Sequence, residues 1–219
     1  RFGTEAQRQR FIRPTLEGEM IWCQGYSEPN AGSDLASLRT RAVLDGDHWV
    51  VNGQKIWTST AHLADWMFCL VRTEPDAPKH QGISFLLFPM STPGIEIRPL
   101  VTMVGDASFN EVFFTDVRVP RDSMIGQRGD GWKVANTLLG FERGMLGDPN
   151  NTLMRFNALV ELMQHETVDG TRLIDQPLLR ERLMKIQGRM LALRANDLRL
   201  LSASVNDTPA RLAGLVVKL

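Results

Sequence analysis

The stretch "TRAVLDGDHWVVNGQKIWT", residues 40–58, decides the fold. Two short runs rich in β-branched and aromatic residues flank "LDGDHW", a tight-turn signal, and this pattern reads as a pair of strands rather than a helix. The runs "DWMFCLVRT", "ISFLLFPM", "IEIRPLV" and "EVFFTDVRV" continue it downstream, punctuated by Gly, Pro, Asp and Asn, with "STPG" as another turn. No helical period separates these runs, so antiparallel pairing is expected in place of βαβ crossovers. A compact β domain over residues 20–128, a sandwich or barrel, is the predicted centre of the chain.

The flanks carry a different period. Residues 5–18 read as a helix with Thr4 as N-cap, Gly18 near its stop, and Phe11, Leu16 and Ile12 on one face. Beyond "IGQRGDG" the apolar spacing is helical again, with Asp130 as a start signal and Trp132, Ala135, Leu138, Leu139, Met145 and Leu146 as the periodic positions. Further helices are predicted at 151–166 and at 177–205, where Pro177 falls in an allowed first turn, and a last one from Pro209. "VDGTRLIDQPLLRERL" is expected to be a loop leading into the helix. The expected class is α+β and multi-domain: residues 1–19 end a helical domain, 20–128 form the antiparallel β domain and 129–219 begin a helical bundle. Both ends fall within helical pattern, so the chain is expected to be a fragment of a larger architecture.

Composition narrows the function classes. At 219 residues with 43% hydrophobic content, the chain can bury a proper core. Its 25 basic and 25 acidic residues balance without a cationic cluster, which argues against a nucleic-acid partner. Cys23 and Cys69 are isolated in apolar runs and read as core thiols. The charged start lacks the apolar run of a signal peptide or membrane span, so a cytoplasmic location is expected. His48, His62, His80 and His165 are scattered and not at metal-ligand spacing, so no metal is expected. "GDGWKV" holds only the first part of a dinucleotide fingerprint and lacks its βαβ context.

Three features could carry chemistry. Glu142 has Leu138, Leu139, Met145 and Leu146 one helical turn away, so its carboxylate is expected to project from an apolar stripe. Such a group suits a general base taking a proton from carbon; an ion pair with an arginine of another helix explains it equally well. "GYSEPNAGSDLASLRT", residues 25–40, is rich in bend-forming residues, and Gly32, Ser33 and Ser27 could turn amides and hydroxyls towards an anion. As turn chemistry alone, a cap on one helical turn through "DLASL" is favoured. Trp57 and Ser59 lie two apart, on one side of a strand, where they could line a flat ligand or, for Trp57, belong to the core.

Taken together, "YSEPNAGSDLASLRTRA", "GDHWVVNGQKIWTSTAHLADW" and "VFFTDVRVPRDSMIGQRGDGW" closely resemble the acyl-CoA dehydrogenase family. The match is collinear and covers nearly the whole chain. The resemblance implies the end of that family's N-terminal helical domain, its middle β domain and the start of its C-terminal domain. It also implies noncovalent FAD, oxidation of an acyl-CoA thioester to a trans-2-enoyl-CoA, and an electron-transfer flavoprotein as acceptor. By motif, Tyr26 and Ser27 would contact the flavin ring, and Gly32 and Ser33 would approach the FAD pyrophosphate, with Ser33 also beside substrate. Trp57 would flank the isoalloxazine, and Ser59 would donate towards its reactive N5 edge. "GFERG" resembles the branches whose catalytic glutamate sits on the helix after the β domain, making Glu142 the base and Arg143 a structural or substrate-positioning cation. A homodimer, homotetramer or heteromer is implied, in a mitochondrial matrix if the source is eukaryotic. Two alternatives stay open: a related flavin oxidase of the acyl-CoA or nitroalkane type, and a non-catalytic subunit of a heteromeric dehydrogenase.

Overall fold

The computed structural model describes residues 1–146 and 148–206, with the side chains of 143–146 and 204 outside the description. Residues 1–137 and 138–219 form two compact units. The helix predicted from Pro209 and the side chain of Arg143 therefore lie outside the described residues.

In the first unit, α1 (Glu5–Leu16) starts on a capping box. The Thr4 hydroxyl accepts from the Gln7 amide and the Gln7 side chain accepts from the Thr4 amide. Gln7 also donates through Nε2 to the carbonyls of Asp122 and Met124, tying the helix to the far end of the β region. Phe11 packs edge-on against Trp22 and Trp66, whereas Ile12 and Leu16, predicted for the same face, are exposed.

Eight strands make one sheet: β1 (Trp22–Gly25), β2 (Arg41–Asp45), β3 (His48–Ser59), β4 (Trp66–Arg72), β5 (Ile83–Pro89), β6 (Ile95–Leu100), β7 (Phe109–Pro120) and β8 (Met124–Ile125). Their order is β6-β7-β3-β2-β4-β5-β8, with β1 added beside β4. The hairpin read from "LDGDHW" is present, with Asp45 opposite His48. The expectation of a wholly antiparallel sheet is corrected, because β1 runs parallel to β4 and β2 meets β4 in parallel at Arg41 and Arg72. A loop and short turn spanning residues 26–40 carry the chain between two parallel neighbours, a connection that needs no long helix. The core lies on the inner face of the sheet and includes Trp49, Val51, Met67, Val71, Leu86, Phe88, Val112, Phe114, Val117 and Val119. Cys23 and Cys69 are buried there, and burial pushes both thiols up to about 12, so they stay protonated and inert.

Long β3 and β7 stay paired only by shifting register between Val51 and Gly53 and again between Lys55 and Thr58. At the first shift Gly53 has φ +149°, and a Cβ there would lie 2.5 Å from Thr40 Oγ1 and 2.7 Å from Thr40 Cα. Gly53→Ala is expected to cost about 1–3 kcal/mol through strain and the displaced backbone of Thr40. Urea unfolding of the two proteins measures this, and an unchanged midpoint would mean that the loop yields freely at Thr40.

The second unit is helical. Its apolar cluster joins Phe156 and Met163 of α3 (Pro149–His165) to Leu183 and Met190 of α4 (Pro177–Val205). Asp148 caps α3 by accepting from the Asn150 amide, and prolines occupy the first positions of both helices. The segment expected to be a plain loop contains a hairpin, β9 (Thr167–Val168) and β10 (Thr171–Arg172). Asp169 and Gly170 both take positive φ, +52° and +73°, which is the Asp-Gly hairpin turn. Helix α2 (Gly131–Leu146) crosses the boundary between the two units.

Candidate active site

The loop after β1 is organised by a buried charge pair. Lys55, fully buried on β3, places Nζ 2.9 Å from Glu28 Oε1 and donates to the Tyr26 carbonyl at 3.0 Å. Glu28 also accepts from the backbone amides of Arg39 at 2.6 Å and Thr40 at 2.9 Å, so one carboxylate closes the loop on itself. Burial pushes its pKa up, but Lys55 and these donors together outweigh that, and Glu28 is held below its ordinary 4.5. Arg72 adds a second tie, donating to the carbonyls of Ala36 at 2.6 Å and Leu38 at 3.2 Å.

Within this frame Pro29 and Asn30 form the turn of a small bridge between Glu28 and Ala31. The expected helical turn is present as a 3-10 turn over Leu35–Ser37, but the Asp34 side chain does not cap it. Asp34 instead accepts from Ser37 Oγ and from Lys79. Gly32 and Ser33 are exposed at the loop's outer edge, and a Cβ at Gly32 would meet nothing within 4 Å.

The loop is joined to β3 where the candidate aromatic sits. The Ile56 amide donates to the Ser27 carbonyl at 2.9 Å, which brings Ser27 beside the residue preceding Trp57. Trp57 is 59% exposed and has φ +60°, a region that a bulky side chain rarely occupies. Its indole meets the Phe109 ring edge-on, centroids 5.9 Å apart at 84°. Thr58 is buried, whereas Trp57 and Ser59 on either side of it are exposed. Tyr26 differs: its ring is 5% exposed and packs edge-on against Phe68 and Phe85, leaving the main chain as its contribution to the loop.

Glu142 requires a correction. Its side chain is exposed, Phe141 is 74% exposed and Leu138 37%, so the carboxylate does not lie inside an apolar stripe of this chain. Among the described residues, the apolar cluster of the second unit is built from α3, α4 and Leu173–Ile174.

Lys55 and Glu28 were not singled out by the sequence reading. The available signal was weak: Lys55 sits among inward-facing positions of a strand whose bulge hides its phase, and Glu28 sits in an apparently polar turn.

Family models match most of the chain: "Acyl-CoA dehydrogenase, middle domain" over residues 23–117 and "Acyl-CoA dehydrogenase, C-terminal domain" over 129–219. Acyl-CoA dehydrogenase IpdE1 of Mycobacterium tuberculosis is 46% identical over 212 residues, covering 96% of this chain and 54% of that protein. The chain therefore spans about half the length of that relative. Among solved structures, the ChsE4-ChsE5 complex of M. tuberculosis superposes with a TM-score of 0.85 at 36% identity, over 99% of this chain and 56% of that one. The Tcur3481-Tcur3483 steroid ACAD gives a TM-score of 0.86 at 34% identity, over 97% and 54%.

Proposed function

This chain belongs to the acyl-CoA dehydrogenase family, and from that premise we propose that the protein carrying it oxidises an acyl-CoA thioester to the trans-2-enoyl-CoA with FAD. The observation that carries this reading is the pinned loop beside β3. It joins Ser27 to the segment that holds an exposed indole at Trp57 and an exposed hydroxyl at Ser59. A flat aromatic face flanked by hydroxyl and main-chain groups fits a planar heteroaromatic with polar edges. FAD, when bound, supplies the acceptor for the hydride that leaves the substrate's β carbon.

The rest of the chemistry falls to the chain itself. Trp57 would flank the ring, Ser27 and Ser59 would bond its polar edges, and the Tyr26 main chain would border it. Gly32 and Ser33 would approach the pyrophosphate, with Ser33 also near substrate. The α proton of a thioester is weakly acidic, so it must be taken by a carboxylate from which water has been excluded. Glu142 is assigned that role and Arg143 a positioning one. The exposed Leu138 and Phe141 beside Glu142 form an apolar surface that an acyl chain can dry. An electron-transfer flavoprotein is the proposed acceptor, and residues 1–19, 20–128 and 129–219 the proposed domain division.

A second reading is favoured by a specific observation. Glu142 is exposed, and both similar structures above are named for a pair of proteins, ChsE4-ChsE5 and Tcur3481-Tcur3483. The chain would then serve as a subunit whose partner completes the site.

The test uses the full-length protein, assembled with its partner if it has one. Its visible spectrum is recorded without oxygen while straight-chain, branched and steroid-derived acyl-CoA thioesters are added. Bleaching of the flavin band by one class is expected. Bound flavin that no thioester bleaches, or a protein without flavin, would overturn the dehydrogenase reading. Oxygen consumption during turnover would convert it to an oxidase.

A further inference from the structure

We propose that Asn110 is a positioning residue that holds Trp57 and Ser59 in place through the carbonyl of the residue between them; the inference rests on the flavin-site reading above. Asn110 lies on β7, fully buried, opposite Thr58. Between the Lys55–Val112 and Thr58–Asn110 pairs, three steps along β3 oppose two along β7. The extra residue makes a bulge that contains Trp57, which has φ +60°, and Thr60 follows at +55°. A bulge leaves ladder groups without their regular partners, and here a side chain takes over. Asn110 Nδ2 donates to the Thr58 carbonyl at 3.1 Å and lies 3.4 Å from the Ser108 carbonyl and 3.2 Å from His62 Nδ1. The Thr60 amide adds a bond to the Ser108 carbonyl at 2.8 Å, closing the far side of the bulge.

Asn110 Oδ1 is buried with no hydrogen-bond partner among the described residues, an arrangement that costs free energy. The amide nitrogen is what the fold uses, and it is directed at the peptide linking an exposed aromatic to an exposed hydroxyl. Neighbouring Phe109 meets the Trp57 ring from the same strand. Two consecutive residues of β7 therefore set the backbone and the ring of the candidate flavin face: Asn110 the first, Phe109 the second. An indole held at a strained φ keeps its direction only while its surroundings over-determine it.

The test uses the full-length, flavin-loaded protein with its partner if it has one, and three variants. Asn110→Leu removes the donor while keeping the branched shape in a larger side chain; Asn110→Ser keeps a smaller polar group in case leucine does not fit. Trp57→Phe reports whether the indole contacts flavin at all. FAD dissociation constant, visible circular dichroism of the bound flavin and urea unfolding of the apoprotein are measured for each. Asn110→Leu is expected to raise the FAD dissociation constant about 3- to 10-fold, the net loss of one buried hydrogen bond. The flavin dichroism should move in the direction that Trp57→Phe moves it, and Asn110→Ser should fall between. Unchanged flavin dichroism and affinity in the Asn110 variants that fold, while Trp57→Phe alters both, would overturn the inference and leave the flavin-site reading intact. Loss of the folded apoprotein in both Asn110 variants would assign the residue to stability alone and likewise overturn it. No response to Trp57→Phe would overturn both together.

Discussion

Lys55→Met lowers the stability of the β unit by about 3–5 kcal/mol, because it leaves Glu28 charged, buried and without its cation. The measurement is urea unfolding at neutral pH, read as a shift in midpoint. Adding Glu28→Gln is expected to recover part of the loss. The Arg39 and Thr40 amides bond to separate oxygens of Glu28, so the single amide oxygen can keep one of the two, and no unpaired charge remains. A Lys55→Met protein as stable as the parent would show that water reaches Glu28 and that the pair does not hold the loop. The same pair sets an acid limit. Glu28's folded pKa is depressed, so its stabilising share is complete above its ordinary 4.5 and is lost as pH falls through the depressed value. The parent's midpoint should decline in that acidic window, and the Glu28→Gln protein should decline less. Loop closure and flavin affinity should fail together, since the residues from Tyr26 to Thr40 hang on this carboxylate.

Glu142→Gln, in the full-length protein, is expected to slow anaerobic bleaching of bound flavin by the best acyl-CoA about 10²- to 10⁴-fold, the range for loss of a general base. Glutamine preserves shape and hydrogen bonding but cannot take the α proton. FAD content and the thioester dissociation constant should hold. Glu142 is exposed on a face with Leu138 and Phe141, so bound substrate or the rest of the assembly must dry it before it can act. An unchanged rate would place the base elsewhere and favour the subunit reading.

Much of the fold was legible from local pattern. The turn at "LDGDHW", the strand runs and α4, whose limits coincide with those predicted, depend on neighbours within a few residues, where side-chain period and turn chemistry operate. Trp57 and Ser59 are both exposed on either side of buried Thr58, as period two leads one to expect, but the bulge that sets Trp57 at φ +60° left no trace in that period. The small hairpin at Asp169–Gly170 was legible in principle: Asp-Gly is a turn signal, but two-residue strands leave no period to read.

What the sequence by itself determined is the alternation of helical, β and helical segments, the family they belong to and the order of the candidate residues. Tertiary structure alone decided strand direction, since β1 and β2 run parallel to β4 through hydrogen bonds that no local pattern encodes. It alone joined Lys55 to Glu28 across 27 residues and Asn110 to the Thr58 carbonyl across 52. It also left Glu142 exposed where helical spacing had placed it inward. The physical reason is common to all three: period and propensity report which face a residue shares with its neighbours, whereas burial and pairing depend on which distant surface packs against that face.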